Sequence, residues 1–61
     1  MFEIGNRVKI VDGNYTGKLG MITKIFPAGT MAEDDIFMVK YQYSGNSGMF
    51  EAGELVLINE E

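Results

Sequence analysis

The chemically reactive side chains are few, and their types set the first limits on function. The 61 residues include no histidine and no cysteine, so the chain lacks the usual general base, the thiolate nucleophile and the soft metal ligands. Its densest acidic run is Glu33-Asp34-Asp35. Adjacent carboxylates on an extended chain point away from each other, whereas the acidic residues of a calcium loop alternate along the chain. We therefore expect no catalysis, no metal site and no cofactor.

The cations offer a second kind of chemistry, the recognition of nucleic acid. Arg7, Lys9 and Lys24 would share the outer surface of a predicted first hairpin, and a loop at residues 12–20 carries Tyr15 and Lys18. Cations pair with phosphates, and an exposed tyrosine stacks on bases. The formal net charge is −4, so few phosphates can be neutralised and any binding should be weak. The candidate nucleic-acid site is Arg7, Lys9, Tyr15, Lys18 and Lys24.

Exposed apolar side chains point instead to a protein partner. Met31 in a loop and Met38 on the outward side of a strand would form a patch with Ile36. Patches of this kind mark protein interfaces, and a homodimer contact is one form that they take. The candidate partner-binding residues are Tyr15, Thr16, Lys18, Met31, Ile36, Met38 and Tyr43.

The aromatic residues divide into core and surface candidates. Tyr15 and Tyr43, with Phe26, would form a stacking platform for bases or an aromatic pocket for a peptide. The other aromatics of the predicted strands are expected to fill the small core; they are Phe37, Tyr41 and Phe50.

Alternating apolar and polar residues predict the strands that position these side chains. The strands are predicted at residues 6–11, 20–26, 36–43, 49–51 and 55–58, with one 3₁₀ turn at 52–54. Ile22 and Ile25 are three residues apart, which predicts a bulge. One face of the third strand should be Phe37, Val39, Tyr41 and Tyr43. Since an open five-stranded sheet leaves two unpaired edges, we expect an all-β protein with a small closed barrel.

The first third of the chain has a recognisable pattern of aliphatic residues and glycines. It reads Val8-x-Ile10-x-x-Gly13-x-x-x-Gly17-x-x-Gly20-x-Ile22, and it resembles the KOW motif of NusG-type transcription elongation factors and of several ribosomal proteins. The rest of the chain is similar to SH3-like barrels, which recur in small bacterial and phage proteins. The resemblance implies an SH3-like barrel with the motif at about residues 5–25, and a role near nucleic-acid machinery. It also implies that Tyr15, Thr16 and Lys18 face a partner.

These observations predict one domain over residues 1–61, with an acidic tail at 59–61. The leading hypothesis is a small non-catalytic interaction module that binds a protein of the transcription or translation machinery. Weak direct binding of RNA or DNA through the loop and first hairpin is one alternative, and a structural subunit that braces a larger assembly is another. With no apolar run near the ~18 residues that span a bilayer and no signal-peptide features at the start, we expect a cytoplasmic monomer or homodimer.

Overall fold

A single antiparallel sheet of five strands organises residues 2–58, the part of the chain that the computed structural model describes. The strands are β1 (Arg7–Ile10), β2 (Leu19–Phe26), β3 (Ile36–Tyr41), β4 (Ser47–Glu51) and β5 (Leu55–Leu57), with a 3₁₀ turn at Ala52–Glu54. Their order in the sheet is β4-β3-β2-β1-β5. The predicted acidic tail at residues 59–61 lies outside the described residues.

The sheet curls because its two edge strands are neighbours in the chain. In a flat sheet β4 and β5 would lie four strand spacings apart, or about 19 Å. The 3₁₀ turn that joins them has three residues and advances only about 6 Å. The edges must therefore approach each other, and the predicted SH3-like barrel is confirmed.

The core is small and consists of alternate side chains from all five strands. Val8, Ile10, Ile22 and Val39 are fully buried, and each lies at an inward position of its strand. The remaining buried residues are Phe37, Tyr41, Phe50 and Leu55. Among residues 2–58 these eight side chains form the buried core, and Phe2 and Ile25 pack against it.

The predicted bulge lies in the middle of β2. Ile22 pairs with Val39 and Lys24 pairs with Met38, so the register shifts at Thr23. The extra residue keeps the Lys24 ammonium on the outside, and Ile25 packs against the core. An unbroken alternation would instead have turned Lys24 inward.

The structure corrects the predicted boundaries of three elements. β3 ends at Tyr41, so Tyr43 does not extend the inward face of that strand but lies in the following turn, with 55% of its surface exposed. β4 starts earlier than predicted because Ser47 pairs with Lys40. β2 starts at Leu19, one residue before the predicted start at Gly20, and Gly20 pairs with both Val8 and Tyr41.

The loop that joins β1 to β2 is held by backbone hydrogen bonds at its base. The Gly17 N–H donates to the Ile10 carbonyl at 2.7 Å, and the Ile10 N–H donates to the Lys18 carbonyl at 2.9 Å. Gly17 has a φ of 94°, in the left-handed region where a side chain is strained. The tip of the loop, which carries Tyr15, is thereby folded back toward the sheet.

Candidate functional site

Three tyrosines stack at the end of the barrel that carries the β1–β2 loop. The Tyr15 ring lies 5.3 Å from the Tyr41 ring at an interplanar angle of 26°, and the Tyr43 ring lies 5.6 Å from it at 29°. Tyr41 is buried, whereas Tyr15 and Tyr43 are 44% and 55% exposed. We call these three residues the tyrosine stack. Its geometry is the offset arrangement that aromatic rings favour, and it presents two half-exposed rings on a buried support.

Different elements bring each member of the tyrosine stack into place. Tyr41 is the last residue of β3, and its ring lies over Gly48 of β4, where an added Cβ would collide with the Tyr41 hydroxyl group. The Phe50 ring packs edge-on against Tyr41 at 6.3 Å. Tyr15 comes from the β1–β2 loop, where the Thr16 hydroxyl donates to the Gly13 carbonyl at 2.8 Å. The Thr16 hydroxyl therefore stabilises the conformation of the loop.

Within the tyrosine stack, the pKa of Tyr41 lies above the usual value for a tyrosine. Burial raises the pKa of the Tyr41 hydroxyl, and the neighbouring Tyr15 and Tyr43 raise it further, because a second phenolate nearby would repel the first.

A cation lies over one of the exposed rings. The Lys18 Nζ is 4.6 Å from the centroid of the Tyr43 ring, within the range of a cation–π interaction. Lys18 and Tyr43 also line a shallow groove of about 280 Å³ together with Gln42. The groove combines an aromatic surface, a positive charge and an amide, which are the groups that bind a flat polar ring.

The outward face of β1, β2 and β3 is basic although the protein is acidic. These three strands contain four cations, Arg7, Lys9, Lys24 and Lys40, and no acidic residue. The described acids lie elsewhere, at Glu3, Asp12, Glu33, Asp34, Asp35, Glu51 and Glu54. Within residues 2–58, no acid forms an ion pair with Lys9, Lys24 or Lys40. Positive charge is therefore concentrated on one surface.

A second groove connects this basic face with the tyrosine stack. It has a volume of about 500 Å³, and its walls include Arg7, Met21, Lys40 and Gln42. Arg7 and Lys40 flank Met21 in one row across the three strands. The Arg7 Nη2 donates to the Gln42 Oε1 at 3.1 Å. Because Gln42 lines both grooves, the two form one continuous surface.

The structure brings some of the sequence-predicted residues together and separates others. Tyr15, Lys18 and Tyr43 meet at the tyrosine stack, and Arg7 and Lys9 lie on the adjoining face. Lys24 lies farther along β2, opposite Met38. Phe26 does not join the two tyrosines, because it lies at the far end of β2 opposite Ile36.

The predicted patch of Met31, Ile36 and Met38 has a different composition in the structure. The cross-strand neighbours of Met38 are Lys24 and Met49, and those of Ile36 are Phe26 and Glu51. Met31 lies in the loop between β2 and β3, with 54% of its surface exposed, and is not part of this pairing.

Sequence reasoning missed three members of the site, Tyr41, Gln42 and Lys40. Tyr41 was assigned to the core alone, and Lys40 and Gln42 were not among the candidate site residues. A signal was available for Lys40, since it alternates with buried Val39 and Tyr41 in a run free of acids. The position of Gln42 depends on the turn, which pairs its N–H with the Leu19 carbonyl at 2.9 Å.

Residues 2–58 contain neither a candidate metal centre nor a candidate membrane-spanning helix. No group of three or more acidic, histidine or cysteine side chains is arranged to hold a metal ion. The same residues include no helix with the length and apolar composition needed to cross a membrane.

Comparison with known proteins identifies the family. The family model described as KOW motif matches residues 4–40, which include β1, the β1–β2 loop, β2 and nearly all of β3. No curated protein and no solved structure matches the chain. The matched segment covers more than half of the 61 residues and carries Tyr15, Lys18 and most of the basic face. The chain therefore belongs to the KOW motif family, whose small non-catalytic modules bind RNA or protein.

Proposed function

We propose that this protein binds single-stranded RNA, with bases stacked on the exposed rings of Tyr15 and Tyr43 and phosphates paired with Lys18, Arg7 and Lys40. The single observation that carries the proposal is the tyrosine stack beside a basic face whose described strands β1, β2 and β3 contain four cations and no acidic residue. The sequence alone favours a protein partner because the net charge is negative. In the folded protein the cations are separated from the acidic residues, and for this reason RNA ranks above a protein partner.

The tyrosine stack suits unpaired bases. Tyr15 and Tyr43 each turn one ring face to Tyr41 and remain about half exposed. Stacking of a base on an aromatic side chain contributes roughly 1–3 kcal/mol. Bases inside a duplex already stack on each other and cannot reach such rings, so the site should favour single strands.

The basic face supplies the electrostatic part of the affinity. Lys18 lies at Tyr43, and Arg7 and Lys40 line the groove that continues from it through Gln42. Three or four neutralised phosphates give a salt slope of roughly −2 to −3 for a single strand. The negative charge of the rest of the molecule opposes binding, so the affinity should be modest and highest at low salt.

Fluorescence anisotropy of labelled RNA tests this proposal. A single-stranded oligonucleotide and a duplex of the same sequence are titrated at low salt with the wild type and with Tyr43→Ala. We expect the single strand to bind more tightly than the duplex, and Tyr43→Ala to weaken binding by about 5- to 150-fold, the loss of one stacked base. Tyr43→Phe keeps the ring and should bind like the wild type.

Two matched variants separate the site from the general surface. Met31→Ala removes an equally exposed side chain, since Met31 is 54% and Tyr43 is 55% exposed, and should leave affinity unchanged. Lys18→Gln should weaken binding more than Lys24→Gln, because Lys18 lies at the Tyr43 ring. Equal binding of duplex and single strand, or wild-type affinity in Tyr43→Ala, would refute the proposal.

A protein partner is the second candidate, and a specific observation supports it. Met49 is 49% exposed and lies on the outward face beside half-buried Met38, away from the tyrosine stack. Methionine side chains make adaptable contact surfaces. Such a partner could bind at this end of the sheet while RNA occupies the other.

A further inference from the structure

We infer that two copies of this chain pair through the far end of the outward face, independently of RNA. The surface concerned is a patch of four apolar side chains on β2, β3 and β4, with one cation and one anion at its corners. The residues are Phe26, Ile36, Met38 and Met49, with Lys24 and Glu51. We call this surface the methionine patch.

The strand register places these side chains in two rows on one side of the sheet. The first row is Lys24, Met38 and Met49, and the second row is Phe26, Ile36 and Glu51. The intervening residues Phe37 and Phe50 point into the core. Neighbouring strands are about 4.8 Å apart and successive outward residues about 6.8 Å apart, so the six side chains form one surface.

The methionine patch is more apolar than the rest of the outward face of the sheet. Phe26, Ile36 and Met38 are partly buried by their neighbours, and Met49 is 49% exposed. The rest of the same face presents the cations Arg7, Lys9 and Lys40. Contiguous apolar patches on a soluble protein mark interaction surfaces, and this one lies at the end of the sheet opposite the tyrosine stack.

The charges at the corners identify the occupant as a second copy. Lys24 and Glu51 lie at diagonally opposite corners, and Phe26 and Met49 occupy the other two. A two-fold axis along the diagonal from Phe26 to Met49 brings Lys24 of each copy onto Glu51 of the other. The same rotation places Met49 against Met49 of the second copy. An isologous interface requires this self-complementarity.

The arrangement corresponds to a known mode of sheet packing. Rotation about a diagonal makes the strands of the two copies cross at nearly right angles, as in orthogonally packed sheets. The patch is smaller than a standard interface, which buries about 800 Å² on each partner. We therefore expect a weak, concentration-dependent dimer. It would add an apolar layer outside a core of only eight side chains.

Charge reversal tests the pairing directly. Sedimentation equilibrium is measured on the wild type, Lys24→Glu, Glu51→Lys and the double variant, up to about 1 mM, the range in which so small an interface should associate. Each single reversal should weaken dimerisation by roughly 10-fold, because two ion pairs per dimer become repulsive. The double variant restores both pairs in reverse and should recover wild-type dimerisation.

Methyl NMR gives a second readout that does not depend on the charges. With ¹³C-labelled methionine methyl groups, the Met38 and Met49 signals should shift with protein concentration, and the Met31 signal should not. Thermal unfolding of each variant checks the fold, since the side chains of Glu51 and Glu54 form a capping box at the 3₁₀ turn. Tyr43→Ala should dimerise like the wild type. A wild type that stays monomeric at 1 mM, or a double variant that fails to recover, would overturn the inference.

Discussion

At the scale of single residues, Tyr41 belongs to both the core and the tyrosine stack. Its ring is buried against Gly48 and Phe50, and it supports the exposed rings of Tyr15 and Tyr43. A polar hydroxyl group in this position ties the stability of the barrel to the protonation of one side chain.

This coupling predicts a loss of stability in alkali that depends on Tyr41. The pKa of Tyr41 is raised above 10.0 in the folded protein by burial and then by Tyr15 and Tyr43. The folded state therefore holds this proton more tightly than the unfolded state, and the resulting stability is present below pH 10 and is lost as pH rises through the folded pKa. Urea unfolding between pH 8 and pH 11 measures it.

The variant Tyr41→Phe isolates the effect, since the ring remains and the titrating group does not. Its free energy of unfolding should fall less steeply above pH 10 than that of the wild type, while lysine deprotonation affects both proteins alike. Identical alkaline slopes in the two proteins would contradict this coupling.

Residue chemistry alone predicted part of the site. Tyr15 and Tyr43 were singled out as a platform, because SH3-like barrels display aromatic pockets of this kind. Phe26 was wrongly grouped with them, since the sequence does not reveal which end of β2 meets the β1–β2 loop. The support from Tyr41 was missed because a side chain that alternates with Val39 appears to be core only.

At the scale of elements, close approach between strands depends on Gly20. A Cβ at this position would lie 2.5 Å from the Val39 Cγ1 and 2.6 Å from the Lys40 carbonyl oxygen. The second of these is backbone, which cannot rotate away. β2 and β3 are the most extensively paired strands, with six paired positions, so a displacement there affects the whole sheet.

Gly20→Ala should therefore destabilise the protein by about 1–3 kcal/mol, the usual cost of overpacking. Gly53→Ala is the matched control, because a Cβ there would meet nothing within 4 Å, and it should be neutral or stabilising by up to about 1 kcal/mol. Urea denaturation followed by circular dichroism compares the two variants. Equal stability of Gly20→Ala and the wild type would show that the strands can separate at little cost.

Strand pattern predicted the elements but not their pairing. Alternation located all five strands, and the spacing of Ile22 and Ile25 predicted the bulge, because both signals are local. The register between β3 and β4 is not local, so the pairing of Met38 with Met49 could not be anticipated. The predicted apolar patch consequently included Met31 instead.

At the scale of the whole molecule, the distribution of charge matters more than its sum. The net charge of −4 suggested a poor nucleic-acid binder, yet β1, β2 and β3 carry four cations and no acid. The five-stranded barrel could be predicted, since closure follows from chain length and unpaired edges. The segregation of charge could not be predicted, because it depends on which face of each strand points outward.

This segregation predicts opposite effects of salt on folding and on RNA binding. Like charges lie together on the basic face and in the loop of Glu33, Asp34 and Asp35, so salt should screen repulsion and raise Tm between about 20 and 200 mM NaCl. The same salt should weaken RNA binding. Thermal melts and anisotropy titrations in one salt series measure both. A Tm that falls with salt would indicate that attractive pairs dominate.

The bulge at Thr23 also determines how the length of β2 can vary. Loss of one residue from a regular strand exchanges the two faces for everything that follows. Thr23 is the additional residue at the shift in register, so its deletion restores simple alternation, with Lys24 still outside and Ile25 still inside. Deletion of Lys24 has the same effect and leaves Thr23 outside, whereas deletion of Ile25 would turn Lys24 inward. Relatives with a shorter β2 should therefore lack the residue at position 23 or 24, and a library of single deletions should recover folded protein at Thr23 and Lys24 but not at Ile25.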